Sequence, residues 1–264
     1  MAIWQAIVLG AVQGLAEFLP VSSSGHLLLL QRLLGISEGG LFFDVILHIA
    51  TLVPICIVLK KQIAGLFKKP FNKLFCLIVA TIPACITGVL LSDKIESAFY
   101  SKSLLSACLI SAAFLCTAGE LIIAERIAKK NKKQLTVKYS SALIMGVAQG
   151  IAVIPGLSRS GTVLSAGTFA RLEKEENANF TFLMSIPIIL GAGLVSGIKL
   201  FGNGEITIVF ILPTLFGAIT AMVTGYIAIT FMLKIIGKAN YKWFSLYLLC
   251  LSCVSVLTYV IWGI

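Results

Sequence analysis

A 16-residue pattern occurs twice in the chain, 136 positions apart. Gly10 to Gly25 reads GAVQGLAEFLPVSSSG, and Gly146 to Gly161 reads GVAQGIAVIPGLSRSG. Gln13-Gly14 aligns with Gln149-Gly150, Ala16 with Ala152, and Ser22, Ser24 and Gly25 with Ser158, Ser160 and Gly161. Glu17 is the one formally charged residue from Met1 to Gln31, and Arg159 the one from Tyr139 to Ala170. A duplicated apolar segment carrying a carboxylate in one copy and a guanidinium in the other reads as two halves of a single polar site.

Composition says where that site lies. Of 264 residues, 58% are apolar and only 12% charged, with a mean hydropathy of +1.01. A soluble domain carries about 25% charged residues. The chain therefore reads as one integral membrane domain over 1–264, all-α and polytopic. The short alternating segments of a membrane β-barrel are not visible. The start lacks a basic n-region and a cleavage site, so Met1 onward is expected to be mature chain. The net charge of +10 sits in short loops, the pattern of positive-inside topology, and no nucleic-acid partner is inferred. The seven cysteines (56, 76, 85, 108, 116, 250, 253) lie in apolar segments at spacings that fit no metal motif, and read as small membrane-buried hydrophobes, not as ligands or disulfides.

Six stretches reach the ~20 residues that a bilayer requires: roughly 42–59, 74–92, 103–124, 180–201, 206–233 and 243–263. The loops at 60–73, 125–138 and 234–242 are basic; those at 35–41, 93–102 and 202–205 carry no net positive charge. The basic loops are assigned to the cytoplasm, which leaves the C-terminus outside. Each copy of the repeat precedes three spans, so the chain divides into a first repeat over 1–124 and a second over 139–264. Three is odd, so the halves have inverted topology.

The repeat segments themselves are broken near their middles by Pro20 and by Pro155-Gly156. Proline ends a helix, and non-helical backbone at membrane depth survives only inside protein or along a wet cavity. Residues 2–34 and 139–172 are therefore expected to form re-entrant hairpins entering from opposite faces, their tips meeting near mid-membrane. The expected architecture is six transmembrane helices plus two hairpins.

The tips carry the chemistry. Ser22-Ser23-Ser24-Gly25-His26 precedes an apolar run, an N-cap signal. The N–H groups and dipole of such a helix start suit an anion. Ser158-Arg159-Ser160-Gly161-Thr162 repeats the arrangement and adds a guanidinium shaped for phosphate. Two hydroxyl-rich helix starts and one arginine make a phosphate cradle. Glu17 has the chemistry of an oxygen ligand to a divalent cation or of a base, with Gln13 one turn away on the same face. His26 has that of a nucleophile or general acid/base. A charge at bilayer depth is expensive and seldom idle. Asp44 and His48 are expected to form a structural pair, and Glu120 and Lys199 to snorkel outward.

These residues resemble the undecaprenyl-diphosphatase family, also called the bacitracin-resistance protein family. The resemblance runs the full length and rests on Gln13-x-x-x-Glu17 with Phe18-Leu19-Pro20-Val21-Ser22-Ser23-Ser24-Gly25-His26, and on Pro155-Gly156-Leu157-Ser158-Arg159-Ser160-Gly161. It implies hydrolysis of undecaprenyl diphosphate to undecaprenyl phosphate in the bacterial cell membrane, recycling the lipid carrier of cell-wall synthesis. It also implies dependence on a divalent cation, Mg²⁺ or Ca²⁺, and a site opening to the outer face. By resemblance Glu17 (also the metal ligand), Ser23, His26 and Arg159 are the catalytic positions. Gln13, Ser22, Ser24, Gly25, Ser158, Ser160, Gly161 and Thr162 are the expected substrate contacts. Two departures stand out. Gln13 replaces a frequent glutamate, and Thr162 directly follows Gly161, with Val163 at the usual threonine place. The nucleophile is left open among Ser23, His26 and a water activated by Glu17. The rival class is a polyprenyl-phosphate flippase or transporter, since inverted repeats with broken helices are also transporter architecture. A homo-oligomer is left open.

Overall fold

The computed structural model describes residues 1–36, 40–101, 103–130, 135–203, 211–236 and 240–263, and every element named among them is helical. Lys102, Lys132, Lys133, Glu205 and Lys238, and the side chains of Asp93, Glu96 and Lys199, lie outside what is described. The elements are α1 (Ile3–Phe18), α2 (Ser23–Leu33), α3 (Gly40–Ala50), α4 (Leu52–Val58), α5 (Lys60–Leu66), α6 (Asn72–Phe99), α7 (Leu104–Lys130), α8 (Tyr139–Ile151), α9 (Arg159–Phe169), α10 (Lys174–Asn203), α11 (Ile211–Ile236) and α12 (Lys242–Trp262). Five helices (α6, α7, α10, α11 and α12) are long and apolar enough to cross a bilayer. A sixth span is available if the bent segment Phe43–Leu66 is counted as one. Their outer faces present bare Val89, Leu90, Leu194 and Val260, all at least 66% exposed, which only lipid tolerates in such number. This is a multi-pass membrane protein.

The expected continuous span at 42–59 is instead two helices that meet at Thr51, and α5 then turns by 85°. Pro54 explains the break: it has no N–H for the carbonyl of Ala50 and its ring crowds that turn. Thr51 relieves the interruption, its Oγ1 donating to the carbonyl of His48 at 2.6 Å. The break thus falls on the turn that carries His48. Pro83 in α6 and Pro187 in α10 do not interrupt their helices.

Each broken repeat segment folds as two short helices. At 1.5 Å per residue α1 is about 24 Å long and α8 about 20 Å, short of the ~30 Å hydrocarbon core. Between α1 and α2 the chain turns at Leu19–Ser22; between α8 and α9, at Ala152–Ser158. Gly156 turns there at φ +92° with Ala113 and Ile110 against it, a place no Cβ fits.

Two packings hold these short helices. α1 lies along α11 and α8 along α6, with α7 packed on α12. Both α1 and α8 present a small-xxx-small face, Gly10/Gly14 and Gly146/Gly150. A Cβ on Gly10 would sit 2.2 Å from the carbonyl oxygen of Gly217, and one on Gly146 2.5 Å from that of Ala80. Backbone-to-backbone approach of this kind is how helices associate where lipid removes the hydrophobic drive. At one end of α7, Glu125 caps α12, accepting from the N–H of Tyr241 (2.5 Å) and of Lys242 (2.8 Å). Burial, and then Glu125, pushes the Tyr241 phenol up to about 12. The seven cysteines are free thiols, and only Cys76 is buried.

Alanine at Gly10 or Gly146 must push two backbones apart. Either variant is expected to lower stability by at least the ~1–3 kcal/mol of an overpacked core. Gly191, with nothing within 4 Å, is expected to accept alanine with little change. Thermal denaturation followed by tryptophan fluorescence in detergent checks both.

Candidate active site

The two turns touch. Ser160 Oγ donates to the carbonyl of Leu19 at 3.0 Å. A Cβ on Gly161 would sit 3.2 Å from Pro20, and one on Gly25 3.1 Å from Gly156. Each helix start is capped by its own serine: Ser22 Oγ accepts from Gly25 N–H (3.3 Å) and Ser158 Oγ from Gly161 N–H (3.1 Å). Ser24 lies 3.4 Å from Ser22, and Ser160 3.3 Å from Ser158, hydroxyl to hydroxyl. Thr117 of α7 steadies the second turn by accepting from Ser158 N–H at 3.0 Å. The tips are thus built from capping residues of both repeats.

Across this contact Arg159 meets Glu17. Arg159 Nη2 donates to Glu17 Oε1 in a direct ion pair, and Nη1 reaches the carbonyl of Ser185 at 3.5 Å. The carboxylate is almost fully enclosed, 3% exposed, against 19% for the guanidinium. On the other carboxylate oxygen three groups converge. Ser23 Oγ donates to Glu17 Oε2 at 2.7 Å and Gln13 Nε2 at 3.0 Å, while His48 Nδ1 stands 3.3 Å away. Gln13 Nε2 also lies 2.8 Å from His48 Nδ1. The Gln13 amide thus lies between the carboxylate and the His48 imidazole. Gln13 Oε1 is buried with no hydrogen-bond partner.

Gln13, Glu17, Ser23 and Arg159 therefore come together as the sequence leads one to expect. The remaining candidates are placed otherwise. Ser22, Gly25, Ser158 and Gly161 form the caps, and Ser24 and Ser160 attend them. Thr162 Oγ1 donates to Glu120 Oε2 at 2.8 Å. Glu120 is thus held by the second helix start instead of snorkelling outward, because a hydroxyl one turn into α9 lies within its reach. His26 is bound away from the ion pair, through Nδ1 to the carbonyl of Ser22 and through Nε2 to the hydroxyl of Tyr247, both at 2.6 Å.

Asp44 and His48 do not form the expected isolated pair. Asp44 accepts from Gln31 Nε2 at 2.7 Å, while His48 turns into the site. From the sequence alone, His48 has no place in the site and Tyr247 is not singled out. His48 left one signal, as one of only two histidines in the chain. Tyr247 left none, since its contact spans 221 residues.

The two caps differ in strain. Ser158 has ordinary extended backbone at φ −82°, whereas Ser22 is held at φ +69°, ψ 98°. A non-glycine residue there carries of order 1–3 kcal/mol of strain and tends to mark a functional site. The gain is local: the tilt aims the Ser22 carbonyl at His26 Nδ1, in the turn that has histidine where the other has Thr162.

A family profile described as bacitracin resistance protein BacA matches residues 6–254. The undecaprenyl-diphosphatase of Carboxydothermus hydrogenoformans is 41% identical over 247 residues, covering 92% of both chains. That of Treponema denticola is also 41% identical, over 96% of both. Undecaprenyl-diphosphatase 3 of Bacillus cereus is 37% identical over 92% of both.

Removing one partner of a buried ion pair leaves the other uncompensated, an effect of about 3–5 kcal/mol. Arg159→Met is therefore expected to melt well below the wild type. The double variant Glu17→Gln/Arg159→Met is expected to recover most of that stability, as read by thermal denaturation in detergent.

Proposed function

This chain belongs to the bacitracin resistance protein BacA family, and we propose that it hydrolyses undecaprenyl diphosphate, with water, to undecaprenyl phosphate and inorganic phosphate. That reaction regenerates a lipid carrier for cell-wall synthesis and underlies bacitracin resistance. The observation that carries the proposal is the ion pair between Glu17 and Arg159, buried where two capped helix starts meet. The names of the relatives support the same chemistry.

The lipid tail lies among the spans while the diphosphate reaches the joined turns. Arg159 exchanges its carboxylate partner for phosphoryl oxygens and offsets the charge spread over them as the terminal group transfers, the dominant contribution in such reactions. Glu17 Oε2, already hydrogen-bonded to Ser23, then accepts that hydroxyl's proton. Ser23 Oγ attacks phosphorus, the bridging P–O bond breaks, and the lipid phosphate leaves. Water then releases the phosphoryl group from Ser23. The 2.7 Å contact between Ser23 and Glu17 is the spacing of a nucleophile with its base, which favours this route over attack by His26 or by water directly. Gln13 and His48 hold the carboxylate in place.

A divalent cation fits the donors present. Gln13 Oε1 is buried and unpartnered beside Glu17, and hard cations take oxygen ligands. Glu17 and Gln13 would hold it. Among the described residues no group of three or more His, Cys, Asp or Glu stands together, so substrate oxygens and water would have to complete its shell. Bound there, the ion would supply Lewis-acid stabilisation of the phosphoryl charge.

The proposed architecture is an inverted repeat of 1–124 and 139–264, with six spans and two re-entrant hairpins. The matched packing of α1 on α11 and α8 on α6, with α7 against α12, supports it. The basic loops support a cell-membrane orientation with the first hairpin entering from outside and the site opening to that face.

Free phosphate measured from a C55 diphosphate in detergent tests the reaction, since a pure transporter releases none. Arg159→Ala and Glu17→Gln are each expected to lower turnover at least 100-fold, and a chelator to suppress it. Phosphate labelling trapped on Ser23 is expected in a quenched reaction. Wild-type turnover in Arg159→Ala overturns the proposal.

A further inference from the structure

His26 is held by two bonds that determine where its proton sits. The carbonyl of Ser22 has no proton to give, so Nδ1, 2.6 Å away, carries the hydrogen. In the neutral ring Nε2 is then a bare lone pair, and it faces the hydroxyl of Tyr247 at 2.6 Å. The two rings lie nearly parallel, 8° apart with centroids separated by 5.6 Å. Phe114 packs edge-on against the same imidazole at 6.1 Å. Three elements, α2, α7 and α12, thus fix one ring in one tautomer. Backbone strain at Ser22 (φ +69°) is retained in the same arrangement, while the corresponding Ser158, followed by Thr162 in place of histidine, has none. Of the two caps, the one with positive φ is thus the one whose carbonyl meets the histidine.

We propose that Tyr247 is the partner through which His26 does acid–base work at Nε2; this rests on the hydrolysis proposed above, with His26 as the base for the water that frees Ser23. A phenol hydroxyl both donates and accepts. Toward the neutral ring Tyr247 donates. When the water that hydrolyses the phosphoryl group bonds to phosphorus, it gives a proton to the Tyr247 oxygen as that hydroxyl passes its own to Nε2, and the imidazolium donates at both nitrogens. The Ser22 carbonyl accepts one bond and the Tyr247 hydroxyl the other. The proton leaves with the released phosphate, and the ring returns to its resting tautomer. Phenylalanine retains the stacking but neither hydrogen bond.

The test uses the full-length protein in detergent. In Tyr247→Phe, kcat is expected to fall about 10- to 100-fold, within the range of a single acid–base contribution, with KM changed less than about 2-fold. The two histidines of the chain give separable ¹⁵N ring signals, assigned by the one missing in His26→Gln. The Nε2 signal of His26 is expected to shift in Tyr247→Phe while Nδ1 stays protonated; the accompanying fall in kcat with KM held is what a merely structural tyrosine does not produce. His26→Gln/Tyr247→Phe is expected to be no slower than His26→Gln, because residues acting as a unit are non-additive. An unchanged kcat and Nε2 signal in Tyr247→Phe overturns the proposal, as does a full further loss in the double variant. Wild-type turnover in His26→Gln overturns it through the reading on which it rests; an Nε2 shift seen alongside identifies that failure as distinct from one of the pairing itself.

Discussion

One ion pair inside a lipid-embedded bundle sets the terms for the rest of the molecule. An isolated carboxylate or guanidinium at that depth is strongly disfavoured, and the pair is tolerable only if its remaining lone pairs and protons are met. The site does this with unusual completeness for Glu17. Arg159 takes one oxygen, and Ser23, Gln13 and His48 surround the other. Such an arrangement needs backbone turns deep within the protein, because uninterrupted helices would put these side chains at different heights. The proline breaks, the serine caps and the short helices follow from that need.

Short helices bring their own problem. At 16 and 13 residues, α1 and α8 bury too little to be anchored by length. Close packing anchors them instead: Gly10 and Gly146 let each press backbone to backbone against a long neighbour from the other half. Polar clasps finish the anchoring. Arg32 at the end of α2 reaches the carbonyls of Phe99 and Ser101 and the hydroxyl of Ser106. Asn177 of α10 reaches back to Leu164 and Thr168 of α9. The hairpins are fixed at both ends, so the tips meet in a defined register.

How much of this could be read from residues alone follows from the range of each interaction. Glu17 and Arg159 were legible because an apolar segment leaves a lone charge few choices, and the duplication placed both on the same kind of turn. The caps were legible because Ser22 and Ser158 act within three residues. His48 was obscured by Asp44, which at four residues' remove looked like its partner. The structure gives Asp44 to Gln31, and the break that Pro54 imposes at Thr51 accompanies His48 turning inward. Glu120 looked like a residue reaching for the membrane surface, but Thr162 lay within its reach. Tyr247 was out of range of any local pattern, since only the docking of α12 brings it to His26.

The asymmetry between the halves carries the functional meaning of the duplication. The two turns share a serine cap, a small-residue face and a glutamine on the helix before the break. They differ in what fills the equivalent places: Glu17 against Val153, Ser23 against Arg159, His26 against Thr162. Ser23 and Arg159 occupy matching positions at the starts of α2 and α9, and both converge on Glu17. A duplicated turn therefore supplies a hydroxyl from one side and a guanidinium from the other to a single carboxylate. A symmetric pair of turns could offer two hydroxyls or two cations, but not a nucleophile facing a charge clamp. Only the turn bearing His26 is strained. The divergence at these polar positions is what converts a pseudo-symmetric anion cradle into a directional one.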